Sequence, residues 1–290
     1  MKVLFVLNPK SGVHTSQPLD DLIIAQAAKS GFEYQIFRMK GDSKKSIKRL
    51  IEEFKPDCVA AAGGDGTVNL VAGILAQSEI SMLIIPSGSA NGMAKELEIN
   101  NIELALSLLS DGEQKKIDLV RINGHISIHL ADVGLNARIV KRFEADPRRG
   151  IMTYARHLFG EMFLMKRYRF YIKADDKEIK RTAVSVTFAN ASKYGTGAVI
   201  NPNGLVDDGL FELVIVKPFP DIQMLSIAWK MFRNKLHTSD YVEVISCREA
   251  FLRCNRSTTL QIDGEVIGKV KDFKIEMMHS ALKVLVPRED

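Results

Sequence analysis

Residues Ala60–Gly73 have the sequence AAAGGDGTVNLVAG, an apolar run that ends in three glycines around Asp65 and continues into a helical pattern. Glycines between a strand and a helix let a phosphate approach the backbone closely, and the N–H groups of a helix start attract an anion. No Gly-Lys-Ser/Thr follows, as in a Walker A loop, and Asn69 occupies the third glycine position of a dinucleotide fingerprint. The segment predicts a strand–turn–helix unit that binds phosphate, with simple helix capping by Asp65 as the alternative.

Strand-like and amphipathic helical patterns alternate over the first 110 residues, which predicts a mostly parallel sheet covered by helices. The strand-like runs are Val3–Leu7, Tyr34–Phe37, Cys58–Ala62 and Met82–Ile85. Ligands of such sheets lie outside the carboxyl ends of the strands. The turns Asn8–Gly12, Gly63–Thr67 and Ser87–Asn91 each follow a strand. We therefore expect these three turns to form one nucleotide phosphate site.

Short alternating runs replace this pattern after about residue 115, and Asn123-Gly124 is a strong hairpin signal. The runs include Phe273–Met277 and Leu282–Val286 as two separate strands. The density of the runs predicts an antiparallel sandwich or barrel. Two helical patterns interrupt the strands, at Gly150–Arg167 and Asp221–Lys235, and Trp229 in the second is expected in the core. The predicted domains are an α/β nucleotide-binding domain, residues 1–120, and a β-sandwich domain, residues 121–290, to which the resemblance given below assigns the lipid substrate. We expect that the last strand can return to the first domain.

Two acidic turns lie in the second half of the chain. Asp207 and Asp208 precede Gly209, and Asp263 and Glu265 flank Gly264. An Asp-Gly pair in an all-β region is often a plain hairpin turn. The alternative is a pair of carboxylate sites near metal and phosphate, where a carboxylate takes the proton from an attacking hydroxyl.

The composition excludes several classes of protein. No run of about 18 apolar residues is present, so a transmembrane helix is not expected. Three cysteines without CxxC spacing disfavour disulfides and zinc sites, and the absence of a GxSxG elbow disfavours a serine hydrolase.

Residues 138–181 hold 13 Lys and Arg against 6 Asp and Glu. This stretch is either a solvated basic face or a docking surface for nucleic acid or an anionic membrane.

The chain resembles the diacylglycerol kinase catalytic-domain family, bacterial lipid kinases related to sphingosine kinases. NPKSG is similar to the first turn of that family, GGDGTVN to its hallmark loop, and PSGSANGMA to its nucleotide loop. DVGLNARIV, NPNGLVDDGLFELVIV and QIDGE resemble its later segments. The GGDGT element alone is shared with NAD kinases and is related to phosphofructokinases, so the later elements make the resemblance specific.

The resemblance implies a phosphofructokinase- and NAD kinase-like, Rossmann-like N-terminal domain followed by an antiparallel β-sandwich. It implies that ATP is held by the three turns, through Asn8, Ser11, Gly12, Gly63, Gly64, Asp65, Gly66, Thr67, Ser87, Gly88, Ser89 and Asn91. By the same resemblance Asp65 acts with the Mg²⁺ of the nucleotide, and Asp208 helps to hold a structural Mg²⁺. Asp263 is the implied general base and Glu265 supports metal or base. Leu70 and Gly92 stand where relatives usually carry acidic residues.

These features predict an ATP- and Mg²⁺-dependent lipid kinase that phosphorylates a primary hydroxyl, with diacylglycerol as the expected substrate. The alternatives are a kinase of sphingoid bases or other lipids, a soluble-substrate kinase of the NAD kinase kind, and a non-catalytic lipid-binding homologue. We expect a cytoplasmic protein at the inner membrane surface, in contact with anionic lipid through residues 138–181. Nucleic acid is not an expected partner, and the sequence leaves a homodimer open.

Overall fold

A computed structural model of the chain describes residues 1–9, 11, 18–41, 43–134, 166–195 and 197–288. The chain divides into two compact units. Unit 1 contains Met1–Ile117 and Ser280–Asp290, and unit 2 contains Asp118–His279.

Unit 1 alternates strands and helices, as the sequence predicts. The strands are β1 Lys2–Leu7, β2 Glu33–Arg38, β3 Cys58–Gly63 and β4 Ser81–Pro86, and the helices are α1 Leu19–Ser30, α2 Lys44–Phe54, α3 Asp65–Leu75, α4 Gly92–Glu96 and α5 Ile102–Asp111. The strands pair in parallel in the order β4-β3-β1-β2. β3 and β4 are buried along their whole length, which explains why they are continuous apolar runs. All four therefore end at one edge of the sheet.

Unit 2 is built from antiparallel strands, with a large buried apolar cluster and a second, smaller one. In chain order they are β5 Glu113–Ile122, which begins in unit 1, β6 His125–Ser127, β7 Leu130–Gly134, β8 Tyr168–Ala174, β9 Lys177–Ala183, β10 Ser185–Ala189, β11 Phe211–Val216, β12 Val242–Cys247, β13 Glu249–Ile262 and β14 Glu265–Val286. One helix, α6 Met224–Phe232, lies between the 3-10 turns Asp221–Gln223 and Leu236–Thr238. The antiparallel strands confirm the predicted class of the second domain.

Besides pairing with β14, the long strand β13 pairs with β8 in one part and with β7 in another. Ala250–Cys254 pairs with β8, and Leu260–Ile262 pairs with β7. A register shift between Arg253 and Thr258 separates the two regions. Such an irregularity bends a strand, so that one strand contributes to both layers of a sandwich.

Positive φ angles at Asn123 (48°) and Gly124 (86°) confirm the predicted hairpin between β5 and β6.

Two other predictions are wrong in detail. The runs Phe273–Met277 and Leu282–Val286 are parts of a single strand, β14, in which the apolar alternation breaks at exposed residues. Trp229 is exposed instead of buried. The predicted helix at Gly150–Arg167 lies, up to residue 165, outside the described residues.

Candidate active site

The three glycine-bearing turns of unit 1 are joined by hydrogen bonds. Asn8 Nδ2 donates to Thr67 Oγ1 at 3.0 Å, and the hydroxyl groups of Ser11 and Ser87 lie 3.2 Å apart. The Ser87 N–H donates to the carbonyl of Gly63 at 3.2 Å. The turns that follow β1, β3 and β4 are therefore one structure. Gly12, which the sequence places in the first turn, lies outside the described residues.

Two of the glycines are required because an added Cβ would collide with a neighbouring residue. A Cβ on Gly88 would lie 2.3 Å from Cα of Gly64, and a Cβ on Gly63 would lie 2.4 Å from the Thr67 side chain. Asn91, in the left-handed conformation with φ 50°, closes the third turn, because its side chain accepts from the Gly88 N–H and donates to the Gly88 carbonyl, both at 2.8 Å. Ser89 is the exposed residue of this turn.

Asp65 does not cap α3. Gly64 occupies the N-cap position and Asp65 is the first residue of the helix. Its Oδ1 accepts the N–H of Gly92, at the start of α4, at 2.6 Å. Within the described part of the chain, the N–H groups of Asp65 and Gly66 have no acceptor. These unpaired donors at the start of an 11-residue helix are suited to an anion such as phosphate.

The donor set at this edge fits Mg²⁺ bound together with phosphate. Mg²⁺ keeps several waters and is usually bound by one or two carboxylates plus substrate phosphates. Asp65 is partly exposed, and its Oδ2 has no hydrogen-bond partner among the described residues. The described residues contain no group of three His, Cys, Asp or Glu side chains placed for a metal ion. A cation here would therefore take most of its ligands from phosphate and water.

In unit 2, the carboxylate of Asp263 holds the turn between β6 and β7. Asp263 is 4% exposed. Its Oδ1 accepts from the Ser127 hydroxyl and from the N–H groups of His129 and Leu130, and its Oδ2 accepts from the Ile128 N–H, all at 2.9–3.0 Å. Burial raises the pKa of Asp263 to about 6, against the lowering effects of the His129 charge and the hydrogen bonds.

Glu265 lies two residues beyond Asp263 and is exposed. Among the described residues, no hydrogen bond or ion pair engages its carboxylate. Residues Ile262–Glu265 form the IDGE turn, and its two acids are in opposite environments. The carboxylate of Asp263 accepts hydrogen bonds from backbone N–H groups, whereas that of Glu265 is exposed. A general base needs an oxygen that can approach the hydroxyl of its substrate.

The other acidic turn is fixed by Asp118, a buried residue of β5. Asp118 Oδ2 accepts the Gly209 N–H at 2.6 Å, and its Oδ1 lies 2.9 Å from His279 Nδ1. Asp208 is exposed, and its Oδ1 accepts the Leu210 N–H at 2.9 Å. Asp208, Gly209 and His279 line a cavity of about 270 Å³. Asp208 retains an exposed carboxylate that fits a hydrated cation.

Two buried polar residues that the sequence reasoning missed support the IDGE turn. Asp132 in β7 accepts from Gln261 Nε2 at 2.6 Å and from the Tyr194 hydroxyl at 2.8 Å. Gln261 Oε1 in turn accepts the Gly264 N–H at 2.8 Å. A sequence signal existed, because Asp132, like Asp118, interrupts an apolar strand at a position that must be buried, where a carboxylate is costly unless it is hydrogen-bonded.

Sequence comparisons match both halves of the chain to known domains. A family described as "Diacylglycerol kinase catalytic domain" matches residues 2–122. A family described as "YegS C-terminal NAD kinase beta sandwich-like domain" matches residues 130–286, more than half of the chain.

Related proteins extend over nearly the whole length. A protein of Pectobacterium atrosepticum described as "Probable lipid kinase YegS-like" is 28% identical, over 98% of this chain and 95% of its own. A "Diacylglycerol kinase" of Staphylococcus saprophyticus is 25% identical, over 91% and 89%. A solved structure described as a diacylglycerol kinase from Bacillus anthracis has the same fold, with a TM-score of 0.76, 19% identity and coverage of 98% and 96%. The chain belongs to the lipid kinase family in which a diacylglycerol kinase catalytic domain is followed by a YegS-type β-sandwich.

Proposed function

We propose that this lipid kinase transfers the γ-phosphate of ATP to the primary hydroxyl of diacylglycerol, giving phosphatidic acid and ADP. The observation that carries the proposal is the hydrogen-bonded group of three glycine-bearing turns in unit 1, with unpaired N–H donors at the start of α3. Diacylglycerol is favoured over other lipids because two relatives are named diacylglycerol kinase.

In the proposed site, the N–H groups of Asp65 and Gly66 donate to the phosphates, and Asn8 fixes Thr67 beside them. The glycine backbone leaves room for the phosphates to approach. The Mg²⁺ of the nucleotide, when bound, would be held by Asp65 and would neutralise phosphate charge. A separate, structural Mg²⁺ would be held by Asp208 in unit 2. Positioning and charge neutralisation supply most of the catalysis in phosphoryl transfer.

The lipid hydroxyl oxygen forms a bond to the γ-phosphorus, the bond to the bridging oxygen breaks, and ADP leaves. We assign the departing hydroxyl proton to Glu265, because its carboxylate is open, and we assign Asp263 to holding the turn. The sequence prediction gave the base role to Asp263. The geometry favours Glu265, since both oxygens of Asp263 accept hydrogen bonds.

The substrate is tested by incubating the protein with radiolabelled ATP, Mg²⁺ and single candidate acceptors, followed by thin-layer separation. We expect label in phosphatidic acid. Label only in a sphingoid-base phosphate or another lipid would replace diacylglycerol as the substrate, and label only in NADP would support the NAD kinase alternative. No label with any acceptor would support the non-catalytic alternative.

The base assignment is tested with Glu265→Gln and Asp263→Asn, with the exposed Asp176→Asn as the matched control. Loss of a general base lowers kcat by about 10²–10⁴-fold. We expect that loss in Glu265→Gln, with unchanged thermal stability, whereas Asp263→Asn lowers stability. If Glu265→Gln keeps full kcat while a folded Asp263→Asn loses it, the assignment is reversed.

Peripheral contact with an anionic membrane also belongs to the proposal. Most of the basic stretch of residues 138–181 lies outside the described residues. Its described end contributes Arg169, Lys180 and Arg181 to a groove of about 400 Å³ that also includes Arg253 and Lys271. Arg181 and Arg253 pair with carboxylates, and the remaining charge favours anionic ligands. The described residues contain no helix that is long and apolar enough to span a membrane.

A further inference from the structure

Helix α6 carries apolar side chains on two opposite faces. Ile227 and Met231 face inward and pack against a buried cluster of unit 2. On the other side, Trp229 is 54% and Phe232 60% exposed. Ile222, in the turn that precedes the helix, is 85% exposed. Trp229 and Phe232 lie three positions apart, which places them on one side of the helix, and Ile222 belongs to the 3-10 turn that leads into it.

An exposed face of this kind is unusual in a water-facing helix. A helix that is apolar all round is normally buried on all sides, and contiguous exposed apolar side chains mark an interaction site. Tryptophan and phenylalanine are costly to leave in water but are suited to the boundary between water and lipid. The outer face of α6 therefore lacks the partner that its composition requires.

Basic residues lie close to this face in the sequence. Between residues 217 and 235 the chain has four Lys and Arg and one Asp. Arg233 lies over the Trp229 ring at 5.5 Å, and both Arg233 and Lys235 are exposed. Interfacial helices combine an apolar face that enters the lipid boundary with Lys and Arg that contact anionic headgroups.

We propose that the α6 face, defined as Ile222, Trp229, Phe232, Arg233 and Lys235, docks onto an anionic phospholipid surface. The inference rests on the proposed function for the reason to dock, since the substrate is a membrane lipid. The docking itself is measured without catalysis. A second copy of the chain is the less suited occupant, because two copies of the same positively charged face would repel each other.

Trp229 is the only tryptophan of the 290 residues, so its fluorescence reports on this face without any engineering. We expect vesicles that contain phosphatidylglycerol to shift Trp229 emission to the blue and to protect it from acrylamide. Vesicles of phosphatidylcholine alone should have a much smaller effect. Rising salt should weaken the response, since headgroup attraction is screened.

Two variants keep Trp229 as the reporter and change its neighbours. Phe232→Ser should weaken vesicle partitioning roughly tenfold, the effect of losing burial of a half-exposed aromatic ring. Arg233→Glu combined with Lys235→Glu should abolish the preference for anionic vesicles. Ile24→Ser is the matched control, because Ile24 is 52% exposed on α1 of unit 1, and it should bind as the wild type does.

Vesicle sedimentation without any change in Trp229 emission would overturn the proposal and assign docking to another surface, such as the basic groove. A lipid-independent emission change that follows protein concentration, with a doubled mass, would assign the face to a second copy. Phosphorylation of a water-dispersible short-chain diacylglycerol separates the two proposals. Docking without phosphorylation of any lipid contradicts the proposed function alone, and phosphorylation without docking contradicts this inference alone.

Discussion

Asp65 and Asp263 have similar neighbours in the sequence, each beside a glycine just after the end of a strand, and yet their carboxylates differ in how far they are available to a ligand. Asp65 is partly exposed with one oxygen occupied by the Gly92 N–H. Asp263 is buried with both oxygens occupied. The difference arises from residues 127–130, which are far from Asp263 in the chain. The local sequence predicts that an acidic residue follows the end of a strand. Tertiary contacts decide whether the oxygens of its carboxylate remain available to bind a ligand.

Gly88 and Gly64 of the phosphate site are expected to have different roles, Gly88 in stability and Gly64 in ATP binding. Gly88→Ala should lower the free energy of unfolding by about 1–3 kcal/mol, because its Cβ would lie 2.3 Å from Cα of Gly64. Gly64→Ala places its Cβ 3.5 Å from Gly88, an ordinary contact, so the fold should tolerate it. Its methyl group should still weaken ATP binding. Urea unfolding and ATP titration measure the two effects, and equal stabilities would contradict the prediction.

The raised pKa of Asp263 predicts a specific dependence of stability on pH. Its folded pKa of about 6 lies above the ordinary value of 3.8, so the folded state binds more protons between these values. The free energy of unfolding should therefore fall as pH rises through this window, by about 3 kcal/mol at most. Urea midpoints of the wild type and Asp263→Asn between pH 4 and 7 test this. The same slope in both proteins would show that another group titrates.

At the scale of elements, strands β7, β10 and β13 are connected by one buried carboxylate. Asp132 in β7 accepts from Thr187 in β10 at 2.5 Å and from Gln261 in β13 at 2.6 Å. The sequence predicts these strands well, because apolar alternation depends on neighbouring residues. It does not predict which polar residue of one strand meets which residue of another, since that depends on register between segments more than 50 residues apart.

This connection predicts a large effect of Asp132→Ala. The substitution leaves the donors of Thr187, Tyr194 and Gln261 without their buried acceptor and should cost about 3–5 kcal/mol. Because Gln261 also holds the Gly264 N–H, the milder Asp132→Asn should lower kcat more than it changes KM for ATP. Urea unfolding and steady-state kinetics measure both effects. Asp176→Asn, an exposed control, should change neither, and a stable Asp132→Ala protein would contradict the prediction.

At the scale of the molecule, strand β14 contributes residues to both units. Residues up to His279 belong to unit 2, and the remainder pairs in parallel with β4 of unit 1, with Lys283 opposite Ser81. The predicted fold class was confirmed for both halves, because periodicity and motif order depend on local sequence. The single long strand was divided into two in the prediction, since its apolar pattern breaks where the chain passes between units.

Leu282→Ala should therefore affect unit 1 selectively. Leu282 is fully buried, and removing its side chain should cost about 2–5 kcal/mol. Hydrogen exchange should detect the loss mainly in amides of β3 and β4, with unit 2 close to the wild type. Glu79→Ala is the control, because the Glu79 side chain is 90% exposed and the substitution removes only its ion pair with Lys283, so exchange should be unchanged. Equal loss of protection in both units would contradict the prediction.

The pairing of Lys283 with Ser81 also sets an order of events during synthesis of the chain. About 200 residues separate the two partners, so the β4 edge of the unit 1 sheet lacks this partner until the C-terminal part of β14 has been synthesised. At 5–20 residues per second this interval is roughly 10–40 s. During that time β4, an apolar strand, presents unpaired backbone groups that invite wrong pairing. Yield of the folded protein should therefore depend on translation speed and on chaperones that cover nascent strands.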